Sequence, residues 1–397
     1  MEGDPQPSEE TIALEAPADG VFVPPSIDEP ALLAGDTYTY YCPVPPSLLA
    51  PSSSSSTSSS PPSQSTSQQQ QPADDTNPAP APAAGGPPCV LGVDEAGRGP
   101  VLGPMVYGVF YLPAPLSDPL LRTAHHFDDS KVLTPAVRSA LMQALCDPGS
   151  DLHSSCGWAV SALSARDIGA GMLRGTGGTG AATYNLNAQA FDATVALIRG
   201  VMARGVNVRE IYVDTVGPPK PYQARLERVF PTARITVASK ADSLYPCVSA
   251  ASVCAKVTRD VALEVQYGIH ARAAVATKAD GEGAMDVDDD GGGKAEEEEV
   301  AEEGWGSGYP SDARCTAWLR RNMHPVFGWG PECRFSWGTV KDMLESNKGN
   351  AVRVEWPVDD DGESTKMTDF FVSDGDRDKD SDELGAWFGT PVGLEAF

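Results

Sequence analysis

The chain has 397 residues, of which 41% are hydrophobic and 21% are charged, and its formal net charge is -26. This length is sufficient for one or two globular domains. A negative charge spread evenly over the chain would exclude a nucleic-acid partner. The charge is instead concentrated in three segments, with -11 in residues 1–88, -10 in residues 282–303 and -8 in residues 359–383. The remainder of the chain therefore has a net charge of +3. A folded body with that charge is compatible with a partner that carries phosphate.

Residues 1–88 are predicted to be a largely disordered acidic tail. They hold 18 of the 35 prolines and no lysine or arginine, and they include the Ser/Gln-rich tract Pro51–Pro72, so they can bury little apolar surface. The stretch Thr37–Pro46 is aromatic enough to pack on the folded body. Because a secretory signal and any apolar run of about 18 residues are missing, we expect a soluble intracellular chain.

Residues 89–272 are predicted to form the folded core. Two apolar runs, Cys89–Val93 and Pro104–Leu112, predict a hairpin of buried strands. Strands and helices then alternate, which predicts an α/β fold. The predicted strands are Gly157–Leu163, Glu210–Val213 and Arg234–Ala238, and the predicted helices are Thr134–Cys146, Tyr184–Ala203, Tyr222–Val229 and Leu244–Tyr267.

Three further segments follow the core. Residues 273–304 are rich in glycine and acid and are predicted to be a disordered insertion. Residues 305–350 are predicted to be a C-terminal helical part of the body, and residues 351–397 an acidic tail with two apolar islands. The predicted helices are Ser311–Asn322 and Val340–Leu344, and the islands are Met367–Phe371 and Leu384–Phe388.

Four carboxylates stand where predicted strands or apolar runs end: Asp94, Glu95, Asp214 and Asp242. A buried carboxylate is costly unless a base, a hydrogen-bond network or a cation neutralises it. Converging oxygen ligands without histidine suit a hard ion such as Mg²⁺ or Mn²⁺. Each acid alone is more typical of a helix cap or of a partner for arginine, but the four together favour a metal site.

Residues near these acids are candidates for phosphate contacts. The segment Gly97-Arg98-Gly99 has two glycines that let the backbone approach a ligand and an arginine that can bind phosphate; the alternative is an ordinary turn. Any one of the other basic residues is also typical of a solvated surface. The basic candidates are Lys131, Lys240, Lys256 and Arg259, and Ser130 is a candidate together with Lys131.

Seven motifs occur in one order along the chain, and together they are far more specific than any single one. They are 94–100 (DEAGRGP), 129–131 (DSK), 184–187 (YNLN), 212–217 (YVDTVG), 240–246 (KADSLYP), 250–260 (AASVCAKVTRD) and 306–310 (GSGYP). In these motifs the sequence resembles the catalytic A subunit of eukaryotic type 2 ribonuclease H. The resemblance covers roughly Cys89 to Trp337, apart from the insertion.

The resemblance implies a ribonuclease H-like mixed sheet flanked by helices, with a C-terminal helical portion. It implies that Asp94, Glu95, Asp214 and Asp242 hold two Mg²⁺ or Mn²⁺ ions at the scissile phosphate. The expected reaction is cleavage of RNA in RNA–DNA hybrids, or of single ribonucleotides in duplex DNA, to 5'-phosphate and 3'-hydroxyl ends. The alternative is a module that binds hybrids without cutting them.

The resemblance also assigns substrate recognition and partners. The stretch Gly97–Gly99 would read the ribose 2'-hydroxyl through its backbone, and Tyr309 would pack on the sugar of the following deoxynucleotide. From the residues alone, an ordinary loop aromatic is the favoured interpretation of Tyr309. We expect two non-catalytic subunits, a nuclear location and a role in ribonucleotide removal during DNA replication and repair.

Three other patterns have competing interpretations. Gly175–Gly180 fits the G-x-G-x-x-G fingerprint, but no apolar strand precedes it, so a loop is favoured. Residues 286–297 fit a calcium-loop spacing, but neither flank offers an apolar helix face, so calcium binding is not favoured. Met367, Phe370 and Phe371 resemble a sliding-clamp docking peptide without its glutamine, and folding against another protein of the assembly is equally compatible with this island.

Overall fold

The computed structural model describes the folded body and short parts of the C-terminal tail. The described residues are 22–50, 85–127, 133–173, 184–215, 217–281, 304–346, 352, 354–355 and 390–391. Several predicted features lie outside these residues and are not tested by the structure: Ser130, Lys131, the glycine-rich stretch 175–180, residues 286–297, Met367, Phe370 and Phe371.

A six-stranded mixed sheet forms the centre of the body, as the sequence predicts. Its strands lie in the order β1-β4-β3-β2-β5-β6. The pairs β1–β4, β4–β3 and β3–β2 are antiparallel, whereas β2–β5 and β5–β6 are parallel. The strands are β1 Tyr38–Tyr41, β2 Cys89–Ala96, β3 Met105–Pro113, β4 Gly157–Leu163, β5 Val208–Asp214 and β6 Arg234–Ala238.

Helices cover both faces of this sheet. Helix α5 contributes to the hydrophobic cluster on one face, and α2 and α8 contribute to the cluster on the other. No helix in the described part of the chain is long and apolar enough to span a bilayer. The helices are α1 Glu29–Ala34, α2 Pro135–Cys146, α3 Asp151–Ser155, α4 Ala165–Leu173, α5 Leu186–Ala203, α6 Pro219–Val229, α7 Ala241–Leu244 and α8 Pro246–Gly281, followed by Ala313–Arg321 and Gly338–Glu345.

Capping side chains set the starts of helices α2 and α5, both of which the sequence predicts. The Thr134 hydroxyl accepts a hydrogen bond from the Val137 amide at 3.3 Å, and Pro135 occupies the first position of α2. The Asn185 side chain accepts hydrogen bonds from the amides of Asn187 and Ala188 at the start of α5. These side chains satisfy backbone donors that have no partner within the helix.

The segment 22–50 corrects the predicted disorder of residues 1–88. Strand β1 pairs with β4 at the edge of the sheet, which agrees with the packing suggested by its aromatic residues. The Ser26 and Thr258 hydroxyls lie 2.8 Å apart, and the Gln266 amide donates to the Leu32 carbonyl at 3.1 Å. Backbone pairing and contacts to α8 therefore order a segment whose composition alone indicated disorder.

Helix α8 differs from its prediction at both ends. A separate short helix, α7, precedes it, and Pro246 opens α8 where its missing amide costs nothing. At the other end, α8 continues beyond Tyr267 to Gly281 and so extends into the segment predicted to be a disordered insertion. The acidic composition of that segment gave no indication of the last turns.

Two glycines of the sheet let α8 approach it closely. A Cβ atom on Gly92 of β2 would lie 2.3 Å from the Cys247 carbonyl carbon, and one on Gly108 of β3 would lie 2.6 Å from the Ala251 carbonyl oxygen. Both contacts are with backbone, which cannot rotate away. The residues of α8 that face the sheet are correspondingly small, such as Ala250, Ala251 and Ala255, and all three are buried.

We expect Gly92→Ala to destabilise the chain by about 1–3 kcal/mol, because its methyl group would push α8 off the sheet. Gly268→Ala on α8 is the matched control. A Cβ there meets nothing within 4 Å, so this change should stabilise the chain by about 0.5–1 kcal/mol through helix propensity. Urea unfolding measures both, and equal stability of the two variants would contradict this packing.

Candidate active site

The ends of three adjacent strands bring the predicted carboxylates to one edge of the sheet. Asp94 and Glu95 lie near the end of β2, and Asp214 is the last residue of β5. These two strands are parallel, with Val93 opposite Val213, so both carboxyl ends point the same way. Asp242 lies on α7, just beyond β6, the other parallel neighbour of β5.

One hydrogen bond connects Asp214 to the helix that holds Asp242. The Ala241 amide donates to Asp214 Oδ1 at 2.8 Å, and the Ser243 amide donates to Asp242 Oδ1 at 3.0 Å. Lys240, at the N-terminal cap of α7, has the left-handed conformation with φ of 58°. This turn brings the Asp242 position back toward the end of β5.

Asp94 and Glu95 lie in surroundings that disfavour their charge. Burial, followed by the charges of Glu95 and Asp214, raises the pKa of Asp94 to about 8. Burial and the charge of Asp214 raise the pKa of Glu95 to about 7, against the opposing effect of Arg98. The charge of Asp214 thus acts on both Asp94 and Glu95, as expected for carboxylates that lie near one another.

A cleft of about 290 Å³ opens beside these acids, between β2, β5, α5 and α6. Glu95 and Asp214 line it together with Arg98. The Arg98 guanidinium donates a hydrogen bond to the Asn187 side chain near the start of α5. Arg98 is thus held at the mouth of the cleft and lowers the pKa of Glu95 by its positive charge.

The predicted contacts Gly97–Gly99 and Tyr309 lie next to each other. A Cβ atom on Gly99 would be 3.0 Å from Cε1 of Tyr309, and Gly97 has a φ of 76°, which favours glycine. The Val101 amide donates to the Gly308 carbonyl at 2.9 Å, which joins the two loops. The Tyr309 ring remains 39% exposed, so a face is available for a ligand.

A buried arginine that the sequence reasoning missed supports this glycine loop. Arg334 is fully buried, and its guanidinium donates to the carbonyls of Gly97, Arg98 and Gly103 at 2.7–3.1 Å. The Trp337 indole donates to the Gly99 carbonyl at 2.9 Å. Burial, with a smaller effect of Arg259, lowers the pKa of Arg334 to about 9. No local pattern marks this role, because the acceptors lie far earlier in the chain.

The other basic candidates differ from one another in burial and in their contacts. Lys240 adjoins Asp242, and Lys256 lies half-buried on α8. Arg259, considered for a phosphate contact, is instead buried and donates to the Ser307 carbonyl and to Asp260. Its guanidinium carbon lies 5.9 Å from the centre of the Tyr309 ring, so Arg259 helps to hold the loop that contains Tyr309.

Comparison with known proteins identifies the family of the chain. The family model for ribonuclease HII matches residues 91–284. The A subunit of ribonuclease H2 from Neurospora crassa is 52% identical over 379 residues, which cover 95% of this chain and 98% of that protein. The chain belongs to the family of ribonuclease H2 A subunits.

Other ribonuclease H2 A subunits are more distant. Those of Schizosaccharomyces pombe and Homo sapiens are 43% and 39% identical and cover 76% and 73% of this chain, and 80% and 84% of their own lengths. The crystal structure of ribonuclease H2 from Pyrococcus horikoshii is 28% identical, with a TM-score of 0.44, and covers 64% of this chain and 96% of that one. The family identifies the chain as a type 2 ribonuclease H, which is a hydrolase.

The carboxylates of this ribonuclease H2 chain suit a divalent cation by their chemistry and charge. Their donors are oxygens, which hard cations prefer. Burial, and to a smaller extent the neighbouring carboxylates, raises the pKa values of Asp94 and Glu95, and a cation would favour their charged forms. Within the ranges that the structure describes, no three His, Cys, Asp or Glu side chains are already arranged to hold a metal ion. The residues therefore fit a cation in composition and electrostatics, without a completed coordination shell.

We expect Asp94→Asn to stabilise the chelator-treated ribonuclease H2 chain above neutral pH. A pKa raised to about 8 means that folding favours the protonated carboxyl. That stabilisation is complete at low pH and is lost as pH rises through about 8. The melting temperature of the native chain should therefore fall over this range, and that of the asparagine variant should fall less.

The exposed residue Asp342 provides the control for this experiment. Asp342→Asn also removes one negative charge, but from a solvated position, so its melting temperature should follow that of the native chain at every pH. Thermal unfolding in chelator between pH 5 and about pH 9 measures the effect. Identical curves for the Asp94 and Asp342 variants would contradict the repulsion among the buried acids.

Proposed function

We propose that this chain is the catalytic component of an endonuclease that cuts the RNA strand of RNA–DNA hybrids and single ribonucleotides embedded in duplex DNA. The products would have 5'-phosphate and 3'-hydroxyl ends. The biological role would be removal of ribonucleotides from DNA during replication and repair, in the nucleus. Membership of the ribonuclease H2 family supports the type of enzyme, and the site supports the finer assignment.

The observation that carries this proposal is the proximity of two features. Glu95 and Asp214 line a cleft with Arg98, and the loop that contains Arg98 lies against Tyr309. Acids that can assist hydrolysis are therefore next to a backbone loop and an exposed aromatic ring that can recognise a nucleotide.

The proposed cofactor is a pair of divalent ions, Mg²⁺ or Mn²⁺. Asp94, Glu95, Asp214 and Asp242 would hold them, since these residues provide oxygen donors from β2, β5 and α7. When bound, such ions lower the pKa of a water molecule and neutralise charge that develops on the phosphate. The Ala241 amide, which donates to Asp214, restricts the orientation of that carboxylate before any ligand binds.

Recognition of the ribonucleotide is assigned to the segment Gly97–Gly99. Arg334 and Trp337 fix three of its carbonyl groups, so the orientation of the peptide groups is set before substrate binds. A fixed backbone can discriminate a 2'-hydroxyl from a hydrogen atom because an unmade hydrogen bond to a desolvated group is costly. The exposed Tyr309 ring would pack on the neighbouring deoxyribose.

The proposed partners are a nucleic-acid duplex and two non-catalytic subunits. The relatives are named as the A subunit of ribonuclease H2, which supports an assembly with other subunits. Met367, Phe370 and Phe371 would bind either the sliding clamp or one of these subunits. Cleavage assays of the chain alone and after reconstitution would establish whether the other subunits are required.

We expect Asp214→Asn to lower the cleavage rate on a duplex with one ribonucleotide by at least about 100-fold. The rate should fall because the change removes the negative charge of Asp214, which acts on both Asp94 and Glu95. Duplex affinity should be kept or should rise slightly, because the change removes a negative charge that repels phosphate. Cleavage with Mg²⁺ and with chelator, together with fluorescence anisotropy for binding, gives both quantities.

Asp342→Asn is again the matched control and should cleave like the native chain. Substantial turnover by the Asp214 variant would remove this residue from the mechanism. A native chain that binds hybrids but never cuts them, with or without the other subunits, would instead support the alternative of a non-cutting binding module.

A further inference from the structure

Helix α6 forms a wall of the cleft that none of the sequence motifs assigns to the substrate. Pro218, Pro221, Tyr222 and Arg225 line the cleft from this helix and the residue before it. Their spacing of three or four residues places them on one face of the helix. The last of them, Arg225, extends into the same cleft that Glu95 and Asp214 line from the sheet.

Arg225 is held in position by an aromatic ring. Its guanidinium carbon lies 3.9 Å from the centre of the Phe191 ring. Phe191 is buried, and its ring contacts Tyr222 edge to face at 5.6 Å, so the ring itself is fixed. Stacking covers one face of a guanidinium and leaves its N–H donors, which lie in the plane, available to a ligand.

The partners of Arg225 differ from those of other arginines near the site. The Arg98 guanidinium donates to Asn187, and Arg259 and Arg334 are buried against carbonyl groups. Among the described residues, no carboxylate forms a salt bridge with Arg225, whose side chain is exposed. An arginine that served only to stabilise the fold would gain most from a carboxylate partner.

The charge balance of the cleft explains why a pre-positioned cation is useful there. Glu95 and Asp214 repel a phosphate strand that enters the cleft, and Arg98 alone opposes them from the side of β2. A guanidinium on α6 attracts the strand from the opposite wall, and its paired donors match two oxygens of one phosphate. Ordering by Phe191 reduces the entropy lost on binding.

We propose that Arg225 is a substrate-binding residue that contacts a backbone phosphate of the cleaved strand along the α6 wall of the cleft. This assignment rests on the proposed function, since it requires that a nucleic-acid strand enter the cleft. It adds a phosphate contact beyond the carboxylates, the glycine loop and Tyr309.

The test compares R225Q with R228Q in the full chain, reconstituted with its presumed subunits. Arg228 is an exposed arginine on the same helix, about one turn beyond the cleft. We expect R225Q to weaken binding of a duplex with one ribonucleotide by about tenfold and to reduce the slope of log Kd against log salt concentration by nearly one. R228Q should change affinity less than about twofold and leave the slope unaltered.

Two further measurements separate substrate contact from a structural role. KM for cleavage should rise in R225Q while kcat stays within about twofold, and the melting temperature should be unchanged. R225K should restore the salt slope but only part of the affinity, because an ammonium group keeps the charge and loses the paired donors.

Equal losses of duplex affinity in R225Q and R228Q would overturn the proposal, because the effect would then come from general surface charge and not from a contact at Arg225. The proposal would also be overturned if R225Q binds the duplex as tightly as the native chain does. If the native complex cuts the duplex in the same experiments, the proposed function stays intact. A native complex that fails to cut the duplex would overturn the proposed function itself.

Discussion

The placement of closely spaced carboxylates at the ends of β2 and β5, with Asp94 buried, is the constraint on which the rest of the site depends. Asp94 and Glu95 are consecutive residues of a strand, so their side chains lie on opposite faces of the sheet. Asp94 faces α8, close to Ser252, whereas Glu95 faces the cleft. Asp214 on the neighbouring strand raises the pKa of both and so connects the two sides.

The packing of the body maintains this unfavourable arrangement. Close approach of α8 at Gly92 and Gly108 excludes water from Asp94, and burial is the largest cause of its raised pKa. A protein that needed these side chains for stability alone would gain more from neutral residues. On the proposed function, a cation would favour the charged forms of these acids, and a polyanionic substrate would complete the charge balance of the site.

The proposed recognition of the sugar depends on the C-terminal part of the body. Arg334 is buried without a carboxylate partner among the described residues, and its charge is stabilised by carbonyl groups of the glycine loop. Burial of a guanidinium without a carboxylate partner is costly. This cost is explained if the function requires one fixed conformation of the glycine loop. The acids and the loop that is proposed to read the sugar are therefore held by different parts of the chain, and Arg98 lies between them.

Sequence patterns predicted most of the sheet, the main helices and the carboxylates, because apolar runs, capping residues and strand-end acids are local signals. Strand β1 was only suggested by its aromatic residues, since its order depends on pairing with β4. The roles of Arg334, Trp337 and Arg225 were not predicted, because each depends on contacts between segments distant in sequence. The end of α8 at Gly281 also had no local signal, since acid and glycine dominate the following residues.

The most direct test of this account is the binding of Mn²⁺ to the full chain, measured by titration calorimetry. The account predicts that the native chain binds Mn²⁺ and that Glu95→Gln weakens binding by at least about tenfold, because one oxygen donor and its charge are lost. A native chain without affinity for Mn²⁺, or a Glu95 variant that binds it as tightly as the native chain, would contradict the account.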